Sequence, residues 1–152
     1  MRLTVYTDYS LRVLIYLAVK PERLSTIDEV ADAYGIARNH LTKVVHQLGV
    51  AGYVTTVRGK GGGFRLARPP GEIVVGDVVR SSETDLALVP CLAPVCADCP
   101  IIPACGLKAL IRQGVAAFMA VLDASTLADL VRRPEALRAL LQLPELPPAV
   151  TG

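Results

Sequence analysis

All four cysteines of the chain fall within one short, proline-rich stretch that runs from Cys91 to Cys105. The cysteines and the neighbouring prolines are Cys91, Cys96, Cys99 and Cys105, with Pro90, Pro94, Pro100 and Pro103. Cysteines scattered along a chain would indicate core packing or a disulfide framework. Four thiols within fifteen residues indicate instead a loop that holds a bound group. Because thiolates are soft ligands, the candidates are zinc and an iron–sulfur cluster.

Composition restricts the class of protein that carries this loop. The chain has 152 residues, of which 52% are hydrophobic, which is enough for one domain with a core or a small domain with an appendage, and too apolar for disorder. No basic start followed by an apolar run predicts a signal peptide, and no apolar stretch is long enough to cross a membrane. We therefore expect a cytoplasmic protein without a membrane partner. Its thiols would stay reduced, which favours metal binding over disulfides.

The net charge of +2 conceals a basic block in the first half of the chain. No acidic residue occurs between Asp32 and Glu72, although the same segment contains Arg38, Lys43, Arg58, Lys60, Arg65 and Arg68. A block this apolar is not a disordered tail. It predicts either a solvated basic face or a folded surface that binds a polyanion such as nucleic acid.

A first helix is predicted to start near the N-terminus, with Thr7 as its N-cap and Asp8 in its first turn. Apolar residues then recur at steps of three and four, at Leu11, Leu14, Ile15 and Ala18. We expect Pro21 to end this helix, which buries one face.

Residues 25–52 fit a helix-turn-helix. Thr26 and Glu29 form a predicted capping box at the start of the second helix, and Gly35 suits the left-handed conformation that ends it. The third helix should begin at Arg38 and bury Leu41, Val44, Val45 and Leu48. Its outward face offers donors for base edges and phosphates: Arg38, Asn39, His40, Thr42, Lys43 and Gln47.

Two predicted strands follow, at 53–57 and 64–67, and the turn between them contains four glycines, Arg58 and Lys60. A strand pair with a flexible, cationic turn is a β-wing, and its cations suit a narrow minor groove. A phosphate-cradling nucleotide loop is the alternative for the glycine run, but the Walker spacing and the following helix are absent. The pattern therefore predicts a winged-helix DNA-binding domain.

A long helix is predicted for residues 106–122. It carries a coiled-coil-like seam of Leu107, Ile111, Gly114, Phe118 and Val121. One domain of this size does not need so long a seam, so we expect a homodimer, which also suits the two-fold symmetry of an operator. Packing of the seam within the chain, against the first helix, is the alternative, and both arrangements are compatible.

The predicted fold class is mostly α with a small β-wing: a winged helix-turn-helix domain plus a long dimerisation helix. We place the DNA-binding domain at 1–80 and the cysteine cluster-binding loop at 81–105. The dimerisation helix and two short closing helices occupy 106–143, and 144–152 is a predicted flexible tail.

Over nearly its whole length the chain resembles the dimeric winged-helix iron–sulfur transcriptional repressors of the NsrR/IscR type. The resemblance rests on Leu-Thr-x-x-Thr-Asp-Tyr-x-Leu-Arg at 3–12, on the wing at 58–66, and on Cys-Pro-x-x-x-Ala-Cys-x-Leu at 99–107. Three further stretches, at 38–40, 47–54 and 126–131, are similar to the nitric-oxide-sensing branch. The resemblance implies an operator-binding repressor that contains a [4Fe-4S] or [2Fe-2S] cluster.

The resemblance also implies a ligand set in which three cysteines of the loop and one further residue hold the cluster. Cys91, Cys99 and Cys105 fit the three cysteine positions. The chain differs from the family in a longer first gap and in the extra Cys96, so the fourth ligand is either Cys96 or Asp8 contributed by the partner subunit. Without the resemblance, Asp8 is interpreted as a favourable charge at a helix start.

The expected function is a repressor that releases operator DNA when nitric oxide reacts with its cluster. The predicted DNA-binding residues are Arg38, Asn39, His40 and Lys43 in the major groove, and Arg58 and Lys60 at the minor groove. The alternatives are a regulator of cluster assembly, a redox- or iron-responsive regulator, a zinc-stabilised winged-helix protein, and an electron carrier. Cys96 and Cys99 have zinc-knuckle spacing but lack a second pair. No enzyme is expected, because His40 and His46 have no acid near them in sequence.

Overall fold

The computed structural model describes residues 2–93 and 99–144. The elements in chain order are α1 (Val5–Val19), α2 (Ile27–Tyr34), α3 (Arg38–Val50), β1 (Val54–Val57), β2 (Gly63–Leu66), α4 (Val75–Ser82), α5 (Gly106–Asp123), α6 (Leu127–Leu130) and α7 (Pro134–Leu140). Short 3₁₀ turns lie at Pro70–Glu72, Pro90–Leu92 and Ile102–Ala104. The mostly helical fold with one two-stranded sheet confirms the predicted fold class. Two predictions, on Cys96 and on the tail after Pro144, lie outside the described residues.

Helix α1 begins three residues earlier than the sequence predicted. Thr4, not Thr7, is the N-cap: its backbone is extended, and its hydroxyl accepts a hydrogen bond from the Thr7 N–H at 3.2 Å. Thr7 lies inside the helix and is fully buried. Both threonines suit an N-cap locally. The Thr4 hydroxyl caps the helix, whereas the Thr7 hydroxyl donates to Glu83 in a tertiary contact.

The helix-turn-helix is formed as predicted. Thr26 and Glu29 make both hydrogen bonds of the capping box, and Gly35 ends α2 in the left-handed conformation at φ 64°. Helix α3 begins at Arg38. Its apolar face is buried in the core and consists of Leu41, Val44, Val45 and Leu48. The core centres on α1, which packs against α3, α4 and α6.

Strands β1 and β2 pair antiparallel and place Val54 opposite Leu66. The sheet joins the helices through Phe64, whose N–H donates to the Ser25 carbonyl at 2.8 Å and whose carbonyl accepts from Ser25. Gly63 allows this close approach, because a Cβ there would lie 2.5 Å from the Ser25 carbonyl oxygen. The base of the wing is therefore anchored to the segment that precedes α2.

Two buried cations fix the end of α1. Lys20, which is 2% exposed, forms a 3.0 Å ion pair with Glu29 of α2. The Arg138 guanidinium of α7 donates to the Val19 carbonyl and forms a 3.0 Å ion pair with Glu22. A buried cation is costly without a partner. Lys20 therefore joins the end of α1 to α2, and Arg138 holds α7 against the end of α1.

After α5 the chain returns to the domain that contains the wing. The Leu127 N–H donates to the Ile73 carbonyl at 2.8 Å, and the Val75 N–H donates to the Ser125 carbonyl at 2.9 Å. Leu127 is buried beside α1. The N-terminal end of α5 is therefore connected to the cysteine loop, whereas its C-terminal end leads into backbone hydrogen bonds with the segment at the start of α4.

Helix α5 presents two apolar faces. One face packs against α4 and contains Met119, which is buried, with Ile111, Val115, Phe118 and Leu122 half-buried. The other face is exposed and contains Leu107, Leu110, Gly114 and Val121, of which Leu110 is 65% and Val121 66% exposed. The seam predicted for dimerisation thus divides between the two faces, with Ile111 and Phe118 on the first and Leu107, Gly114 and Val121 on the second.

Candidate nucleic-acid interface and metal-binding loop

Helix α3 turns its predicted DNA-binding side chains outward. The four predicted residues Arg38, Asn39, His40 and Lys43 are all exposed, as are Thr42 and Gln47. This follows from the helix period, because the apolar residues at 41, 44, 45 and 48 occupy the opposite side. The exposed side of α3 is rich in hydrogen-bond donors and contains no acidic residue.

The N-terminus of α3 has little side-chain capping. Its N-cap is Ala37, which offers no side-chain acceptor, and the first turn contains no acid. Asn39 Oδ1 accepts a 2.9 Å hydrogen bond from the His40 N–H, but that N–H also donates to the Ala37 carbonyl at 3.1 Å, so no other N–H of the first turn gains a partner from it. A helix N-terminus with free N–H groups and partial positive charge is a favourable position for a phosphate.

Of the four cations predicted to bind DNA, one forms an ion pair within the residues that the structure describes. Arg38 Nε lies 3.0 Å from Asp28 Oδ1 of α2, and both side chains are mostly exposed. Lys43, Arg58 and Lys60 form no ion pair within residues 2–93 and 99–144. Three cations are therefore available to phosphates without first breaking a contact.

The start of α1 lies beside α3. The rings of Tyr9 and His40 stack with centroids 6.2 Å apart and an interplanar angle of 29°. Next to them is a groove of about 530 Å³, lined by Thr4, Tyr6, Lys43, His46, Gln47, Ser81, Ser82 and Thr84. Its lining is rich in hydroxyl groups and includes one lysine, so α1 and the end of α4 extend the polar surface of α3.

The wing turn depends on its glycines. Gly59 and Gly61 have φ values of 102° and 77°, which other residues adopt only with strain. Gly62 closes the turn, because its N–H donates to the Gly59 carbonyl at 2.9 Å and a Cβ on it would lie 2.4 Å from the Val57 carbonyl oxygen. Arg58 and Lys60 are exposed at this turn.

The three cysteines within the described segments lie close to the N-terminus of α5 in sequence. Cys91 is half-buried in the 3₁₀ turn at Pro90–Leu92, which packs against α5. Cys99 is exposed, and its carbonyl accepts a hydrogen bond from the Ile102 N–H. Cys105 is half-buried and is the N-cap of α5, where the partial positive charge of an 18-residue helix favours an anionic group.

These cysteines are not gathered into a metal site in the single chain. Within the part of the chain that the structure describes, no three His, Cys, Asp or Glu side chains lie close enough together to hold a metal ion. The donor set nevertheless fits an iron–sulfur cluster or zinc, since thiolates are the ligands of both. Sites of this kind become ordered when the metal binds, so the ligands need not converge without it.

Asp8 lies in the first turn of α1 and is partnered within its own helix. Its carboxylate forms a 2.9 Å ion pair with Arg12, and both side chains are about half exposed. The Arg12 guanidinium also lies 5.8 Å from the centre of the Tyr34 ring. Asp8 is accessible to a second chain, but as a ligand it would exchange its contact with Arg12 for one with the metal.

Glu83 joins the cysteine loop to α1. It ends α4, and its Oε1 accepts hydrogen bonds from the Thr4 N–H at 2.7 Å and the Thr7 hydroxyl at 2.5 Å. Burial raises the pKa of Glu83, but the hydrogen bonds from Thr7 and Thr4 outweigh it, so the pKa lies below the usual value. The residue from which the loop departs is therefore fixed to the turn of α1 that contains Asp8.

Sequence reasoning missed Asp28, Tyr9 and Glu83 as residues of these sites. Glu83 and Thr7 are 76 residues apart, so no local pattern indicates their contact. Asp28 lies in the first turn of α2, and only the turn between α2 and α3 brings it to Arg38. None of the helices in the described segments combines the length and apolar composition needed to span a membrane.

Comparison with known proteins agrees with this architecture. A family model described as "Rrf2: Iron-dependent Transcriptional regulator" matches residues 3–133. The HTH-type transcriptional regulator NsrR of Bacillus subtilis (strain 168) is 49% identical over 95% of this chain and 100% of its own length. The NsrR of Geobacillus kaustophilus (strain HTA426) is 46% identical over 93% of this chain and 97% of its own.

Solved structures share the fold. CymR, the global cysteine regulator of B. subtilis, superposes with a TM-score of 0.70 at 28% identity, covering 87% of this chain and 97% of that one. IscR of T. potens gives a TM-score of 0.69 at 26% identity, covering 96% of this chain and 94% of that one.

Proposed function

Because the chain belongs to the Rrf2 family of transcriptional regulators, we propose that it is a DNA-binding repressor that senses nitric oxide through an iron–sulfur cluster held by its cysteine loop. The near-full-length similarity of this chain to regulators named NsrR is the observation that most supports nitric oxide as the signal. Family and relatives are regulators of transcription rather than enzymes.

In this proposal α3 enters the major groove of operator DNA. Arg38, Asn39, His40 and Lys43 supply donors to bases and phosphates, and the exposed face they share supports this role. Arg58 and Lys60 at the tip of the wing contact the minor groove or its flanking phosphates. Their lack of ion pairs within the described segments favours these contacts, since no acid competes with the phosphates.

The proposed cluster ligands are Cys91, Cys99 and Cys105, with Cys96 or Asp8 of the partner subunit as the fourth. When bound, an iron–sulfur cluster supplies iron that reacts with nitric oxide. The residues of the chain hold the loop in one arrangement while the cluster is bound, and Glu83 connects the base of that loop to α1. Release of DNA requires that the loaded and unloaded forms differ in affinity for it, because a signal shifts an equilibrium only by that difference.

The proposed active form is a homodimer that pairs through α5. The exposed apolar face of α5 supports this, since Leu107, Leu110 and Val121 are each more than 60% exposed in the single chain. A monomer rarely leaves such a contiguous apolar stripe in water. A two-fold dimer presents two α3 helices to successive turns of a palindromic operator.

The test begins with protein purified without oxygen. Visible absorption with iron and sulfide assays measures cluster content, and titration with nitric oxide should bleach the cluster bands and release a duplex selected from a random library. A colourless protein that contains zinc would remove the sensor function and leave the DNA-binding function. Equal affinity of loaded and unloaded protein for the same duplex at one salt concentration would contradict the switch.

The fourth ligand is tested by two single variants. Asp8→Ala should change the cluster spectrum if Asp8 is the ligand, and Cys96→Ser should change it if Cys96 is. Replacement of Asp77, an exposed acid of α4, by Ala is a matched control for the loss of one carboxylate. An unchanged spectrum and unchanged DNA binding in the Asp8 variant would remove Asp8 from the ligand set.

A further inference from the structure

Asp28 is an acidic residue at the edge of the proposed DNA-binding surface. It lies in the first turn of α2, and its Oδ1 is 3.0 Å from Arg38 Nε at the start of α3. The next 39 positions after Asp32 contain no acid, so α3 and the wing carry no negative charge of their own. A carboxylate here repels DNA phosphates. Its position is accounted for if it orients a cation that binds DNA.

The ion pair contributes little to folding. The Arg38 side chain is 64% exposed and the Asp28 side chain 59% exposed. Exposed pairs of this kind add little to the stability of a folded protein, because water screens the two charges. The contact therefore affects the position of the Arg38 guanidinium more than the stability of the domain.

The geometry leaves the base-reading end of Arg38 open. The nearest contact of Asp28 with Arg38 is to Nε, which lies at the inner edge of the guanidinium, and the terminal nitrogens of Arg38 donate no hydrogen bond within the described segments. Two guanidinium N–H groups bind O6 and N7 of guanine in the major groove, the commonest specific contact between an arginine and a base. The first residues of a recognition helix are those that contact base edges.

From these contacts we infer that Asp28 is a positioning residue that holds the Arg38 guanidinium for bidentate recognition of one guanine in each half-site of the operator. The inference rests on the proposed DNA-binding function and adds its specificity. Arg38 has many rotamers, and fixing it before binding reduces the entropy lost in the complex. Asp28 thereby raises discrimination at one base pair, although its charge lowers affinity for DNA in general.

The experiment compares the base preferences of five proteins with one duplex library. Loaded wild-type protein, the single variants Asp28→Asn, Arg38→Ala and Asp32→Asn, and the double variant Asp28→Asn with Arg38→Ala select duplexes from a synthetic library with a randomised 25-base-pair centre, and bound sequences are counted. Asp32→Asn is the matched control, because Asp32 is an exposed acid of the same helix that forms no ion pair in the described part of the chain. Thermal unfolding checks that every variant is folded.

We expect wild-type protein to prefer guanine at one position about ten-fold over other bases, and Arg38→Ala to lose that preference. Asp28→Asn should reduce it about three-fold or more at that position alone, whereas Asp32→Asn should leave it unchanged. Both Asn variants should bind random duplex slightly more tightly, since each loses one negative charge. In the Arg38→Ala background, Asp28→Asn should have no further effect on base preference.

Three outcomes would overturn the inference. A wild-type preference that survives in Asp28→Asn would show that Asp28 does not position Arg38. A preference that survives in Arg38→Ala, or a selected base other than guanine, would show that Arg38 does not read guanine, while the DNA-binding function would stand. Failure of wild-type protein to select any sequence would contradict the proposed function itself.

Discussion

The Thr7 hydroxyl donates a 2.5 Å hydrogen bond to Glu83 Oε1 and so joins the first turn of α1 to the end of α4. Thr7 is fully buried, and the same carboxylate oxygen accepts two further hydrogen bonds from Thr4. The contact joins two residues that lie 76 positions apart in the sequence. It also fixes the first residue of the segment that leads to the cysteine loop.

Replacement of Glu83 by Gln should lower the free energy of unfolding by about 1–2 kcal/mol at pH 7, because hydrogen bonds to a charged acceptor are the stronger ones. Denaturant unfolding measures the loss. Glu72→Gln is the matched control, since Glu72 is exposed and its side chain forms no hydrogen bond or ion pair in the described segments. Equal stability of the two variants would contradict a role for the Glu83 contact.

The Glu83 contact also predicts a pH dependence. The pKa of Glu83 is below its usual value of 4.5 in the folded chain, so its stabilisation is fully present above that pH and is lost as pH falls through the lowered pKa. The stability difference between wild-type protein and Glu83→Gln should therefore shrink below about pH 4.5. Unfolding curves at pH 7, 5, 4 and 3 measure it, and a difference that grew in acid would contradict this assignment.

Gly76→Ala should break the contact between α4 and the end of α5. Arg80 donates two hydrogen bonds to the Asp123 carboxylate, at 2.7 and 2.6 Å, and a Cβ on Gly76 would lie 1.9 Å from Asp123 Oδ1. The hydrogen bonds from Arg80 hold the pKa of Asp123 below its usual value of 3.8. We expect this pKa to rise toward 3.8 in Gly76→Ala, as measured by NMR titration of the carboxyl carbon.

The control for this titration is Gly71→Ala, because a Cβ at Gly71 would meet no atom within 4 Å. Its Asp123 pKa should match that of wild-type protein, while Arg80→Gln should reproduce the rise seen in Gly76→Ala. An unchanged pKa in both Gly76→Ala and Arg80→Gln would show that the ion pair is absent in solution.

Arg58→Gln and Lys60→Gln should each weaken DNA binding and reduce its salt dependence. The slope of log affinity against log salt is negative, and its magnitude should decrease by about 0.9 for each phosphate that the variant no longer neutralises. Affinity measured at several salt concentrations on one duplex gives both values. Arg133→Gln, which removes an exposed charge at the start of α7, should leave the slope unchanged. Equal slopes in the wing variants and the wild type would remove the wing from the interface.

Leu110→Glu should convert the proposed dimer to monomer, because it places a charge in the exposed apolar face of α5. Sedimentation at micromolar concentration measures the change. Ala116→Glu is the control: Ala116 is exposed on α5 and lies half a turn around the helix from Leu107. A wild-type monomer at that concentration would end the dimer proposal, and dissociation by both variants would show that the interface is elsewhere.

Sequence reasoning predicted the elements well where the cause is local. The capping box of α2, the Gly35 end and the wing turn each depend on residues within a few positions, so their pattern is visible in the chain. The start of α1 shows the limit. Thr4 and Thr7 are equally good caps in sequence, and only the buried environment of Thr7 decided between them.

The features of the candidate sites also fall into two groups, those that the sequence predicts and those that depend on tertiary contacts. The sequence by itself determined the gathering of four cysteines in one loop, the basic segment free of acids, and the donor-rich side of α3, because these are properties of order and period along the chain. Tertiary structure decided the contacts of Glu83 with Thr7 and of Asp28 with Arg38. It also decided which face of α5 remains exposed, since each of these depends on elements brought together by burial of a common core.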